Sequence, residues 1–153
     1  MKFYLAVFCS AILLTLSCAF SSQPKKIIKE GISGRVTLKE GNQMPGPGKK
    51  ESHKGKGVQR TIFIYALTTT GQTEGESPLF REIHQRLIRK FKTDANGFFK
   101  CKLPAGKYSV FTGEKDHQFF AGISNGAGEL NPVEVLPGKL TSFDIEINYN
   151  AVY

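Results

Sequence analysis

The sequence predicts an all-β protein, an antiparallel Greek-key β-sandwich of about seven strands. Three observations support this fold class. Short apolar segments alternate with polar residues at a period of two, as half-buried strands do. Gly, Pro, Asn and Asp separate these segments at short intervals. Almost no segment shows a convincing helical period, so two packed sheets are favoured over a helical architecture.

The predicted strands follow one another along most of the chain. Segment 61–67 is a β-branched and aromatic run that suits the centre of a sheet. A long Gly-rich and basic loop, residues 40–59, separates it from the first strand. The predicted strands are 32–38, 61–67, 87–93, 98–103, 107–112, 132–136 and 140–147, with a weaker apolar signal at 119–123.

Residues 79–93 are ambiguous, since Ile83, Leu87 and Phe91 would share one face of either a helix or a strand. The sequence DANG at 94–97 follows at once and favours a strand over 87–93. Asp and Asn stabilise such a bend, and Gly accepts the positive φ that it needs. We therefore expect a hairpin in which strand 98–103 pairs with strand 87–93.

The amino terminus has the layout of a secretory signal. Met1-Lys2 precedes an apolar run, residues 3–16, that is too short to span a bilayer comfortably, and small residues follow it. Residues 15–18 (TLSC) resemble a bacterial lipobox, which predicts a signal at 1–17 and lipid attachment at Cys18. The alternative is ordinary cleavage after Ala19, which gives a soluble secreted protein.

Length and composition limit what the rest can be. With 153 residues and a net charge of +8, the chain fits one domain or at most two small ones, and it does not fit a multidomain enzyme. Its three cysteines do not predict a disulfide scaffold, because Cys9 would leave with the signal and Cys18 would carry lipid; a Cys18–Cys101 bridge is the alternative if Cys18 is neither lipidated nor removed. Cys101, on one strand face with Phe99 and Leu103, is expected in the core. Residues 18–30 are expected to form a tether and 31–153 the domain.

Two stretches resemble the signature of the carboxypeptidase regulatory-like domain: KTDANGFF at 92–99 and LPAGKYSV at 103–110. They match that family's T-D-x-x-G-x-F and P-x-G-x-Y motifs, and GRVTL at 34–38 resembles its first strand. The resemblance covers about residues 31–153 and implies a transthyretin-like (prealbumin-like) β-sandwich in which Tyr108 points into the core.

The resemblance implies a binding or spacer module of the kind found in small exported lipoproteins of Gram-negative bacteria. The peptidase domain that such modules accompany in zinc carboxypeptidases is absent. His53, His84 and His117 have no Glu at the spacing of the peptidase zinc site. We therefore predict no catalytic residue, no metal and no cofactor.

The tightest titratable cluster is EKDH at 114–117. Glu114 and Asp116 on one strand face could coordinate a hard cation, or either carboxylate could orient His117 as the base of a small hydrolase. A polar loop at the end of a strand explains the same residues. The DANG turn has half the carboxylate and amide ligands of a calcium loop, and we interpret it as a turn.

Positive charge concentrates in two sets. The candidate anion-binding residues are Lys49, Lys50, Lys54 and Lys56 in the long loop. The second set is Arg86, Arg89, Lys90, Lys92, Lys100 and Lys102, and part of it would share a surface if the predicted hairpin forms. The expected partner is an anionic envelope component (lipid, lipopolysaccharide or polysaccharide) or an envelope protein. Nucleic acid is disfavoured in an exported chain. The alternative is a solvated surface that keeps an edge strand from pairing.

These observations predict a non-catalytic cell-envelope binding or scaffold module. It would be held at the outer membrane or in the periplasm, in contact with the membrane through its lipid anchor only. The alternative is a carbohydrate- or peptide-binding accessory domain that uses the loops 41–59 and 122–131.

Overall fold

The computed structural model describes residues 28–44 and 55–153 and shows a protein built almost entirely of strands. Short 3-10 turns at Thr70–Gln72 and Lys115–His117 are its helical pieces, and no helix within the described ranges is long and apolar enough to span a bilayer. The strands are β1 (Gly31–Asn42), β2 (Lys56–Gly57), β3 (Thr61–Ala66), β4 (Thr73–Glu76), β5 (Leu79–Ile83), β6 (Leu87–Lys92), β7 (Phe98–Lys102), β8 (Gly106–Gly113), β9 (Phe119–Phe120), β10 (Pro132–Val135), β11 (Leu140–Ser142) and β12 (Ile145–Val152).

The five-stranded sheet is built around β1. Along one edge of β1, β11 and β12 pair in parallel and in the same register, with Gly31 opposite Leu140 and Val36 opposite Ile145. The opposite edge pairs antiparallel with β7 over Gly31–Arg35 and with β2 at Thr37 and Leu38. We expected a purely antiparallel sheet. The pairing of β1 with β11 and β12 is parallel, so this sheet is mixed.

The seven-stranded sheet has the order β4-β5-β9-β8-β3-β6, and β10 also pairs with β8. All its pairings are antiparallel. β3 and β8 are central and covered on both faces, as the apolar run at 61–67 predicts. Ile62 and Ile64 of β3 point between the sheets, whereas Phe63 and Tyr65 point to the outer face.

A hydrophobic core between the two sheets confirms the β-sandwich. Its fully buried side chains come from both sheets, and they include Ile32 and Val36 of β1 and Ile147 of β12. Tyr108 packs into this core and its hydroxyl donates to the Pro104 carbonyl oxygen over 2.9 Å. Burial of a large aromatic ring with its polar end satisfied is strongly stabilising.

The turn at residues 94–97 forms, but the predicted hairpin is wrong. Asp94 Oδ1 accepts from the backbone N–H groups of Asn96 and Phe98. β6 then pairs with β3, and β7 pairs with β1 in the other sheet. The backbone of Val36 explains the separation, because its N–H donates to the Gly97 carbonyl oxygen over 2.8 Å and ties the turn to β1. The turn is therefore a corner between sheets.

The expected apolar face of the segment 79–93 is only partly correct. Ile83 is buried and Phe91 packs against the core, but Leu87 is 45% exposed. A register shift in the β3–β6 pairing, between Ile64 and Tyr65, breaks the period of two at this point. Ile88 packs against the core instead.

Several predictions about the amino-terminal part and the long loop lie outside the described residues. They are the signal at 1–17, lipid attachment at Cys18, most of the tether, and the lysines Lys49, Lys50 and Lys54. Of the tether, residues 28–30 are described. The Glu30 carboxylate there accepts from the Gly138 N–H over 2.8 Å, just before β1 begins.

Gly97→Ala should destabilise the protein through the corner. Gly97 has φ +83° and an added Cβ would overlap the Val36 carbonyl oxygen. Gly41 has φ +73° with open space around it, so Gly41→Ala measures only the cost of holding a residue other than Gly at a positive φ. We expect a loss of about 1 kcal/mol in the free energy of unfolding for Gly41→Ala and about 3 kcal/mol or more for Gly97→Ala. Urea denaturation checks this, and equal losses would contradict a close approach at Gly97.

Candidate functional site

The titratable cluster at 114–117 forms the connection between β8 and β9, and its members separate in space. Glu114 turns inward, with 2% of its side chain exposed. Lys115, Asp116 and His117 are exposed in the 3-10 turn. Asp116 and His117 have φ of +56° and +58°, which costs residues other than Gly about 1–2 kcal/mol each. The fold therefore holds this turn in a strained conformation.

The buried carboxylate of Glu114 has three side-chain donors. Arg60 Nε lies 3.1 Å from each of its oxygens. The Thr112 hydroxyl donates to Oε1 and the Tyr149 hydroxyl donates to Oε2, both over 3.0 Å. A buried charge is tolerated when it is paired and hydrogen-bonded, and both oxygens of Glu114 meet that condition.

This network joins the two sheets at one end of the sandwich. Tyr149 comes from β12 of the five-stranded sheet, whereas Arg60 precedes β3 and Glu114 follows β8 in the seven-stranded sheet. The Tyr149 ring also packs on Phe120, with ring centroids 5.8 Å apart. Burial raises the pKa of Tyr149, and the charge and hydrogen bond of Glu114 raise it further, against a smaller opposing effect of Arg60.

The same geometry bears on the hydrolase alternative. A general base needs a carboxylate or a second group that orients it. No hydrogen bond joins His117 to Glu114 or Asp116 in the described part of the chain. The carboxylate of Glu114 is instead occupied by Arg60, Thr112 and Tyr149.

Two clefts flank the strained turn. One of about 450 Å³ is polar and carries charges of both signs; it is lined by Glu40, Arg60, Gly113, Glu114, Lys115, Asp116, Gln118, Tyr149 and Asn150. The other, of about 320 Å³, has an aromatic floor in which Phe63 and Phe119 meet edge to face with centroids 5.0 Å apart. Lys90 Nζ lies 4.9 Å from the Phe63 ring centroid, and His117 and Gln118 complete the wall.

The predicted basic sets come together along one side of the sandwich, but not through a hairpin. β2 and β7 occupy the same edge of β1, and β6 is the terminal strand of the other sheet. Phe91 of β6 and Phe99 of β7 pack with centroids 6.1 Å apart, which brings the two strands side by side. We call this surface the basic edge; its cations are Lys56, Arg89, Lys90, Lys92, Lys100 and Lys102, all exposed.

The cations of the basic edge point in different directions. Lys90 and Lys92 lie opposite Phe63 and Thr61, on the outer face of the seven-stranded sheet. Lys100 and Lys102 lie on the outer face of the five-stranded sheet, because the intervening Cys101 packs against the core. Cys101 is a free, half-buried thiol whose pKa is raised by burial and lowered to a lesser extent by the charge of Arg89.

One group of described side chains has the composition of a metal-binding set. Glu74 and Glu82 lie directly opposite each other on β4 and β5, and His84 follows on the same hairpin. His84 Nε2 lies 3.0 Å from Glu74 Oε1, and the potential ligand atoms of all three residues lie within 4.8 Å of one another. All three side chains are at least half exposed. The comparison of histidine and Glu spacing with a peptidase zinc site did not predict this grouping, because Glu74 comes next to His84 only through the pairing of β4 with β5.

Comparisons with known proteins add nothing to the geometry, since no family model, no curated protein and no solved structure matches this chain.

Tyr149→Phe tests the network that joins the sheets, because it removes one hydroxyl and keeps the ring. We expect the free energy of unfolding near pH 7 to fall by about 1.5–3 kcal/mol, as for a lost hydrogen bond to a charged acceptor. The raised pKa of Tyr149 means that the unfolded chain loses this proton first as the pH rises through about 10. The contribution of Tyr149 to stability is therefore complete below that pH and declines above it.

The difference in stability between wild type and Tyr149→Phe should consequently narrow above about pH 10. Urea denaturation across the alkaline range measures it. Burial also raises the pKa of Tyr65, but Tyr65 is present in both proteins and its effect cancels. Tyr153→Phe, at a site 64% exposed, is the matched control and should change little. A difference that stays constant with pH would contradict the role given to the Tyr149 hydroxyl.

Proposed function

We propose that this chain is a non-catalytic, exported binding module of the cell envelope, of the carboxypeptidase regulatory-like type, held at a membrane by lipid on Cys18. It contacts an anionic component of the envelope through the basic edge. The single observation that carries this proposal is the convergence of β2, β6 and β7 on one side of the sandwich.

The strands of the basic edge carry positive charge only. β2, β6 and β7 contain no Asp or Glu. No carboxylate in the described ranges forms an ion pair with any of the six cations. Charges of one sign along a ridge add their fields and attract an oppositely charged surface, with about 1 kcal/mol per Lys or Arg near anionic lipid.

The disposition of the lysines favours an extended anionic surface over a small ligand. Lys90 and Lys92 project from one face of the sandwich and Lys100 and Lys102 from the other, so they do not converge on one pocket. A membrane or a polysaccharide can contact such a ridge from the side. Lys56, the one described member of the long-loop set, belongs to β2, which pairs along the same edge of β1 as β7.

The absence of a catalytic role is supported by the use of Glu114 in holding the sheets together, with Arg60, Thr112 and Tyr149 as its partners. A second candidate function is recognition of a carbohydrate or peptide. The cleft of about 320 Å³ with the Phe63 and Phe119 floor favours it, because aromatic floors with polar rims suit such ligands.

Charge reversal on the basic edge tests the proposed partner. Lys100→Glu combined with Lys102→Glu should lower the affinity of the full chain for vesicles containing phosphatidylglycerol at least tenfold, relative to pure phosphatidylcholine vesicles, at about 0.1 M salt. The lipid anchor binds both kinds of vesicle, so the ratio of the two affinities removes its contribution. Co-sedimentation with the vesicles is the measurement.

The matched control reverses two exposed cations away from the basic edge, Arg81→Glu and Lys115→Glu, with the same change in net charge. It should keep most of the preference for phosphatidylglycerol. If the Lys100 and Lys102 variant binds like wild type, or if both double variants lose affinity equally, the basic edge is only a solvated surface and the proposal is wrong.

Cys18→Ala tests the anchor. Radiolabelled palmitate fed to the producing cell should be incorporated into the wild-type chain and not into the variant, because the lipid is carried by the Cys18 thiol. Cys101→Ala is the control and should retain the label. Labelling of Cys18→Ala, or no labelling of wild type, would show that the proposed lipid anchor on Cys18 is wrong.

A further inference from the structure

The two terminal strands of the seven-stranded sheet carry opposite charges. β4, at one end of the sheet, has the sequence TEGE and lies beside Glu82 of β5. β6, at the other end, has the sequence LIRKFK. In the described part of the chain, no strand pairs with the outer side of either. A terminal strand with unpaired backbone groups is a template for strand addition.

The outer side of β6 has backbone N–H and C=O groups that do not pair with β3. The Thr93 N–H donates to the Arg60 carbonyl oxygen over 2.9 Å, so this residue faces the β3 side. Backbone groups alternate in direction along a strand, and the backbones of Phe91 and Arg89 therefore also face β3. The N–H and C=O groups of Lys90 and Lys92 point away from the sheet, where an added strand would pair.

Charge decides which strand can be added. Two copies of β6 would place Arg89, Lys90 and Lys92 against the same cations, and two copies of β4 would place Glu74 and Glu76 against each other. Like charges on adjacent strands are destabilising, so both symmetric pairings are disfavoured. The β4 strand of one copy against the β6 strand of another brings carboxylates next to cations.

We propose that a second copy of this chain docks on the β6 edge through its β4 edge and extends the seven-stranded sheet from one molecule into the next. Because β4 and β6 lie at opposite ends of the sheet, the contact is head to tail, and every assembly that does not close into a ring keeps a free β4 and a free β6 at its ends. The assembly therefore grows by repeated addition of molecules, into an open row or a closed ring, and does not stop at a symmetric dimer.

This inference goes beyond the proposed binding of an anionic surface and does not depend on it. Lys100 and Lys102 belong to the other sheet and stay accessible in such a row. The vesicle test and the assembly test therefore fail independently of each other.

Reciprocal charge reversal tests the contact. One variant, the acidic-edge variant, carries Glu74→Lys and Glu76→Lys; the other, the basic-edge variant, carries Lys90→Glu and Lys92→Glu. Sedimentation velocity is run on the full chain in a non-ionic detergent with reductant, at about 100 μM protein, because so small an interface is expected to be weak. The micelle adds the same mass to every sample.

Wild type should form species of at least twice the monomer mass at low salt, and these should dissociate near 0.5 M salt as the charges are screened. Each variant alone should be monomeric, because its two edges then have the same sign. A 1:1 mixture of the variants should assemble again, since each edge of one faces an oppositely charged edge of the other. Both variants stay net positive, starting from +8, so overall attraction does not explain that recovery.

Lys107→Glu with Lys115→Glu is the control for net charge: both residues are exposed, lie outside β4 and β6, and should leave assembly unchanged. Circular dichroism checks that every variant is folded. A wild type that is monomeric at low salt, an assembly that resists salt, or a mixture that stays monomeric would overturn the proposal.

Discussion

The backbone ladder along β1 is the interaction on which the rest of the structure depends. This strand of 12 residues is paired along both edges, with β11 and β12 on one side and with β7 and β2 on the other. It brings the last strand of the chain against the first strand of the domain. Its apolar side chains, among them Ile32 and Val36, then cover the inner face of the other sheet.

The same ladder determines where the positive charge lies. Val36 ties the turn at residues 94–97 to the edge of β1, so the chain leaves that turn in a different sheet from the one in which it arrived. β6 and β7 become terminal strands that meet side by side, and β2 extends the row. Six cations from three separate segments thus form one ridge, and these lysines and arginines also keep the strands from pairing indiscriminately.

The Glu114 network shows how a cluster that looks chemical in the sequence can have a structural role. A buried carboxylate with an adjacent His and Asp has the composition of a catalytic site. Here its oxygens accept from Arg60, Thr112 and Tyr149, and the resulting links connect both sheets at one end. Removing one partner of a buried pair of this kind leaves the other charge buried without a partner, which is strongly destabilising. The network therefore restricts, for a structural reason, which residues can occupy these positions, and it does not imply a reaction.

Apolar alternation by itself determined the all-β class and most strand positions, because it depends on residues close together in the chain. Asp94, Asn96 and Gly97 determined the turn, whereas the inward position of Tyr108 was implied by the motif resemblance at 103–110. Turn chemistry is local, so it predicted the bend but not the sheet that each flanking strand joins.

Only the tertiary structure decided the parallel pairing of β1 with β12, the corner, the basic edge and the partners of Glu114, of which Arg60 lies 54 residues away and Tyr149 lies 35 residues away. Such contacts leave no periodic signal in the sequence. They form when the apolar faces of the two sheets pack together and bring polar side chains from distant parts of the chain next to each other.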